Sequence, residues 1–198
     1  MSKISADVQE FIKAIQKNDS SVVERLRLID LDKETTPLYM LINLRHWEGL
    51  QYAACHTNHI EILLRTAAYT QWYQAIDFLL PKAKPDEIIE AACVCANANK
   101  LEVLKHLTPH CNDLTHCVLP ACFSHAQSVL HFLLERGDAQ LMREKLKDLS
   151  RNNDPNKLSF VYGEKIWGAV NFLRTESMHW ELEQATKDCG SSKKTKKI

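Results

Sequence analysis

Apolar residues run along most of the chain as pairs of short segments, each pair parted by a polar break. Between Pro120 and Asp138 the sequence reads PACFSHAQSVLHFLLERGD. One apolar segment ends at Ala121, Ser124 and His125 make the break, a second segment carries Val129, Leu130, Phe132, Leu133 and Leu134, and Gly137 stops it. Apolar spacings of three and four residues predict helices, and a glycine after the last apolar position is a helix stop. With His125 as the marker of the break, comparable positions fall at Asp19, His46, Trp72 and Lys100, separated by 27, 26, 28 and 25 residues. A steady period in the range of roughly 20–50 residues is the mark of a solenoid built from repeated supersecondary units.

Taken in order, the first unit places Phe11, Ile12 and Ile15 on one helix, Asn18 and Asp19 in the turn, and Val22, Val23 and Leu26 on the next, where Ser21 and Glu24 have the spacing of a capping box. In the second, Thr36 is expected as an N-cap with Pro37 at the first helical position, where its missing N–H costs nothing. Arg45 and His46 make the turn, and Leu50, Tyr52, Ala53 and Ala54 continue. The third unit carries Ile60, Leu63, Leu64, Ala67 and Ala68, then Gln71 and Trp72, then Ala75, Ile76, Phe78, Leu79 and Leu80. The fourth starts after Pro85 and Asp86 with Ile88, Ile89, Ala92, Cys95 and Ala96, turns at Asn99 and Lys100, and ends with Leu101, Val103, Leu104 and Leu107. Paired alanines let neighbouring helices approach closely. No segment sustains the alternation of a half-buried strand, so about 12 helices and no β-sheet are expected.

Beyond Ala139 the pattern changes. Leu141, Met142, Leu146 and Leu149 form one amphipathic stretch, Asn152 to Pro155 breaks it, and Ile166, Trp167, Val170 and Leu173 form another. A last helix is expected from Ser177 to Lys187, followed by CGSSKKTKKI. The organisation that follows is helical repeats over residues 1–138, about five in number, a C-terminal helical cap over 139–187 that covers the exposed end of the array, and a disordered basic tail over 188–198.

These units resemble the ankyrin repeat, whose pattern reads T-P-L-H, A-A, G-H, V-V, L-L, G. Thr36-Pro37-Leu38-Tyr39 stands for the first element, and the second half is best matched between Pro120 and Asp138. Each unit is several residues shorter than the family's usual repeat, and glycine is missing from nearly every turn, so the resemblance implies an all-α helix-pair solenoid whose β-hairpin fingers are reduced to short loops. It also implies that the turn histidines, His46 and His125, hydrogen-bond backbone. Followed by a helix with Glu176, Glu181 and Glu183 and a short polar tail, the chain looks like bacterial effectors delivered into host cells by a type IV secretion system.

Composition narrows the function. With 198 residues, 45% hydrophobic content, 5 Gly and 6 Pro, the chain suits an ordered helical protein. Lys+Arg and Asp+Glu number 25 each, so no broad attraction to nucleic acid or to an anionic membrane is expected. Seven cysteines lie scattered through apolar segments behind an opening, MSKISADVQEF, too polar for a secretory leader, and no apolar run has the length of a membrane span. Reduced thiols and a cytoplasmic setting, or a host cytosol for an effector, are the expectation.

Chemistry centres on residues 93–125, where Cys93, Cys95, His106, His110, Cys111, His116, Cys117, Cys122 and His125 crowd together. His106 and His110 stand four apart, one face of a helix, but Pro109 is expected to end that helix, and the Cys93 and Cys95 side chains point to different faces. The alternative to a binding module is therefore a helical enzyme or metal-binding regulator using this region, whereas the simpler reading makes Cys93, Cys95, Cys117 and Cys122 small core residues. No nucleophile elbow, phosphate loop or HExxH helix occurs. The expectation is a protein without catalytic or metal residues and without cofactor, binding a protein partner.

In the ankyrin family the concave surface is lined by the residue before the paired alanines and by those just after them. Transferred position by position, the resemblance implies a partner surface of Lys13, Met40, Thr66, Val94 and Leu119 from the first set, and Lys17, Asn43, Leu44, Tyr69, Asn97 and Phe123 from the second.

Overall fold

Among the described residues helices form where the three-and-four apolar spacing places a continuous stripe, and every regular element there is helical. The structure, a computed structural model, describes residues 5–124, 126–136, 175, 178, 179 and 181–187. The α-helices are α1 (Ala6–Gln16), α2 (Val22–Leu26), α3 (Thr36–Asn43), α4 (Trp47–His56), α5 (Ile60–Thr70), α6 (Tyr73–Leu79), α7 (Pro85–Asn97), α8 (Leu101–Leu107), α9 (Val118–Phe123) and α10 (Gln127–Arg136). Short 3-10 turns occupy Leu80–Lys82, Thr108–His110 and Thr115–Cys117. Residues 181–187 are helical. The expected cap segments at 139–174, the tail at 188–198, His125, Trp167 and Trp180 lie outside the described residues.

The helices fall into two compact units. One takes Met1–Cys95 with Glu102–Asn112, the other Ala96–Leu101 with Asp113–Ile198. Within the first unit, α1 packs on α3 and α3 on α5, while α2 packs on α4 and α4 on α6, so each helix neighbours both its sequential partner and the helix two along. Buried Leu38, Leu41 and Ile42 of α3 and Leu63, Leu64, Ala67 and Ala68 of α5 supply this core. The alanines carry no side chain beyond Cβ, which is what allows backbones to close on one another. At the other layer Trp72, buried, meets Trp47 edge-on at 6.1 Å, and Trp47 meets Phe78 at 5.3 Å, the edge-to-face arrangement aromatic quadrupoles favour. In the second unit α9 packs on α10, whose Val129, Leu130, Phe132, Leu133 and Leu134 are all buried. There Ser124 Oγ donates toward the Ala96 carbonyl at 3.4 Å and Ser128 Oγ to Asn99 Oδ1 at 3.0 Å.

Helix starts differ from expectation at two places. Ser21 makes no side-chain cap on α2; its own N–H donates to Asp19 Oδ1 at 2.9 Å, so the aspartate two residues earlier fixes the approach and Ser21 does not act as the cap of a capping box. Thr36 is already helical, with Thr35 preceding it, because Pro37 tolerates either of the first two helical positions. At α7 Pro85 opens the helix, and Glu87 reaches back to accept from the Lys84 N–H at 2.8 Å, satisfying a donor that the helix leaves free.

Candidate interaction surface

The turns decide which side chains the helix ends present. Asn18, Arg45, Gln71 and Asn99 have φ of 52°, 53°, 57° and 53°, the left-handed region, and stand 27, 26 and 28 residues apart. After α1, α3 and α5 the same two hydrogen bonds close the helix. Asn18, Arg45 and Gln71 donate to the carbonyls of Ile15, Ile42 and Ala68 at 3.1, 3.1 and 3.2 Å. Asp19, His46 and Trp72 donate to those of Ala14, Leu41 and Ala67 at 3.0, 2.9 and 3.0 Å. This is the Schellman closure, and it reverses the chain within three residues. The chain thus leaves α1, α3 and α5 through the same turn.

Lys17, Asn43 and Leu44, and Tyr69 occupy those last turns and are exposed; Leu44 and Tyr69 keep 51% and 57% of their surfaces open. One turn earlier Lys13 is exposed and paired to Glu10 at 2.7 Å, which holds the Glu10 carboxyl below its usual range, and Met40 is half-buried. Thr66 departs from the set. It is only 9% exposed, and its Oγ1 donates to the Ile62 carbonyl at 2.7 Å, a buried self-capping bond that takes it out of any surface. Val94 on α7 is half-buried. In the second unit Asn97 is exposed, Leu119 half-buried and Phe123 38% exposed. Periodicity did not single out Tyr73, exposed where α6 begins, its ring perpendicular to that of His106 with centroids 5.3 Å apart.

The histidines have local work. His46 Nδ1 accepts from the Gly49 N–H at 3.0 Å and so caps α4, a ring doing the task usually given to Ser or Asp. Gly49 is needed there, since a Cβ would strike Leu41 and come within 2.9 Å of that ring nitrogen. His106, on α8, which ends before Pro109, bonds Asp77 at 2.6 Å and does not converge with His110. Burial and the neighbouring Cys93 push the Cys111 thiol up to about 11, the direction opposite to that of a nucleophile. Cys95 and Cys117 are buried and Cys93 is half-buried. Among the described residues no group of three or more His, Cys, Asp or Glu side chains is placed to hold a metal ion. No helix among them is long and apolar enough to cross a membrane.

A polar cluster sits at the opposite ends of α3 and α5. Asp32, in the loop before α3, accepts from the Asn58 N–H at 2.8 Å, from Asn58 Nδ2 at 2.7 Å and from Thr57 Oγ1 at 3.0 Å. His59, which precedes α5, sets Nδ1 against Glu61 Oε1 at 2.8 Å and Nε2 against the Asp32 carbonyl at 3.2 Å. Those bonds draw the Asp32 carboxyl down and the His59 imidazole up from their ordinary values. A residue-by-residue search for helix period passes over this cluster, because its parts lie 26 residues apart in loops.

The fold and surface define an all-helical protein of paired helices with recurrent turns. Comparison with family models, with curated proteins and with solved structures finds no match.

Proposed function

We propose that the chain is a protein-interaction module whose first unit is a short helix-pair solenoid of the ankyrin kind, and whose partner docks on the last turns of α1, α3 and α5. The observation that carries this is the exposure of Leu44 and Tyr69 at matching places of successive helix pairs, within one turn of the same register. Isolated exposed apolar residues are ordinary; here Leu44 stands one residue and Tyr69 two residues before the left-handed residue of its turn, both in the last turns of helices that pack on each other, and we read them as one strip. A strip of that sort, flanked by Lys17, Asn43 and Gln71, is what a partner's apolar anchors fill. Aromatic side chains such as Tyr69 commonly dominate the energetics of such surfaces. Asn97, Leu119 and Phe123 belong to the proposal as the second unit's own surface. The effector-like composition of the C-terminal region would make the partner a host protein.

Paired variants test the reading. Leu44→Glu and Tyr69→Glu should each abolish partner capture by the full chain from lysate while leaving the helical circular dichroism and melting temperature nearly unchanged. Leu28→Glu, at a residue 63% exposed after α2 and away from the strip, should capture the same species as the wild type. Capture that survives at Leu44 and Tyr69 would place the partner on another face.

A further inference from the structure

We propose that His59 is a pH-operated latch between the loop before α3 and the first turn of α5, closed while its imidazole carries both protons and opened when one is lost. The argument is geometric. Nε2 faces a backbone carbonyl, the Asp32 oxygen, which only accepts, so that nitrogen must carry a proton. Nδ1 faces the Glu61 carboxylate, which accepts when ionised, so that nitrogen must carry one as well. Neutral histidine has one N–H, and one of the two bonds must then be given up.

The groups around the ring agree with this. Glu61 on its own helix and Asp32 on the facing loop are the ionisable side chains bonded to or beside it. Among its packing neighbours, α3 offers only Tyr39, and α6 commits Tyr73 and Asp77 to His106. Lys33 of the facing loop is paired to Asp30 at 2.7 Å, and the charges that act on the ring are those of Glu61 and Asp32, both favouring its cationic form. A histidine whose proton is held more tightly in the folded state adds stability that is complete below the unfolded value of about 6.5 and is lost as pH rises through the higher folded value. Asp32 works in the other sense. Its carboxylate bonds to Asn58 and Thr57 hold above the ordinary carboxylate range and are lost as pH falls through its depressed value. The joint is therefore complete between the two limits, and it is His59 that opens on the alkaline side.

The latch stands apart from the partner surface and is tested without a partner. Long-range nitrogen–proton NMR spectra of the full chain, taken from pH 5 to 9, should show both His59 ring nitrogens protonated on the acid side, with a midpoint above about 6.5. The Asn58 amide, bonded to Asp32, should shift with that same midpoint, and the protection of the Ile62 and Leu63 amides, which donate to the His59 carbonyl, should fall several-fold across it. His59→Gln should remove the step at Asn58, and Glu61→Gln should move the midpoint down while the fold is kept. A His59 midpoint at or below about 6.5, or an alkaline step at Asn58 that persists in His59→Gln, overturns the proposal.

Discussion

Among the described residues, four with side chains hold the left-handed backbone that glycine adopts without cost: Asn18, Arg45, Gln71 and Asn99. Asparagine tolerates that region better than most, whereas Arg45 and Gln71 have no such excuse. Relief of left-handed crowding is worth roughly 1–2 kcal/mol, against roughly 0.5–1 kcal/mol for the extra freedom glycine brings to the unfolded chain. Gln71→Gly is thus expected to stabilise by ~0.5–1 kcal/mol in urea melts, and a lowered midpoint would mean that the Gln71 side chain contributes something its exposure hides. Gly49 is the opposite case. Alanine there gains up to ~1 kcal/mol of helix propensity but crowds buried Leu41 and displaces the His46 ring from its cap. Overpacking and cap loss together outweigh the gain, so Gly49→Ala should cost ~1–2 kcal/mol, read as a lowered melting temperature.

At the level of elements, the helices were legible because their apolar stripes are long relative to their turns, and α5 and α10 match the stripes read from the sequence. The period was legible for a physical reason too. The marker residues Asp19, His46 and Trp72 each follow a left-handed residue and donate the closing hydrogen bond, so they mark the same point of the same turn. Left-handed turns without glycine were not legible, since Arg45 and Gln71 carry no conformational signature. Neither was the Asp32 and His59 cluster, whose bonds are long-range and loop to loop. The burial of Thr66 was not legible, because a position-by-position transfer knows the register but not that a threonine can satisfy its hydroxyl on its own helix. Packing at α10 offers a direct check: Leu133 is fully buried, and Leu133→Ala should cost ~2–5 kcal/mol, whereas an equal loss from removing residues 191–198 would mean that the tail carries structure.

For the molecule as a whole, helix pairs that pack on both their sequential partner and the next pair distribute stability along the chain, and the first unit does this from α1 to α6. Among the described residues Lys17, Asn43, Leu44 and Tyr69 are exposed on the last turns of α1, α3 and α5, and function is proposed there. In the cysteine- and histidine-rich region Cys111 is half-buried with its thiol held up near 11, and His106 is tied to Asp77. The measurement that tests the account most directly is capture by the full chain compared across wild type, Leu44→Glu, Tyr69→Glu and Leu28→Glu, with melting temperature recorded for each. The account predicts one partner species held by wild type and Leu28→Glu and lost from both strip variants at unchanged melting temperature. Equal capture by all four proteins would contradict it.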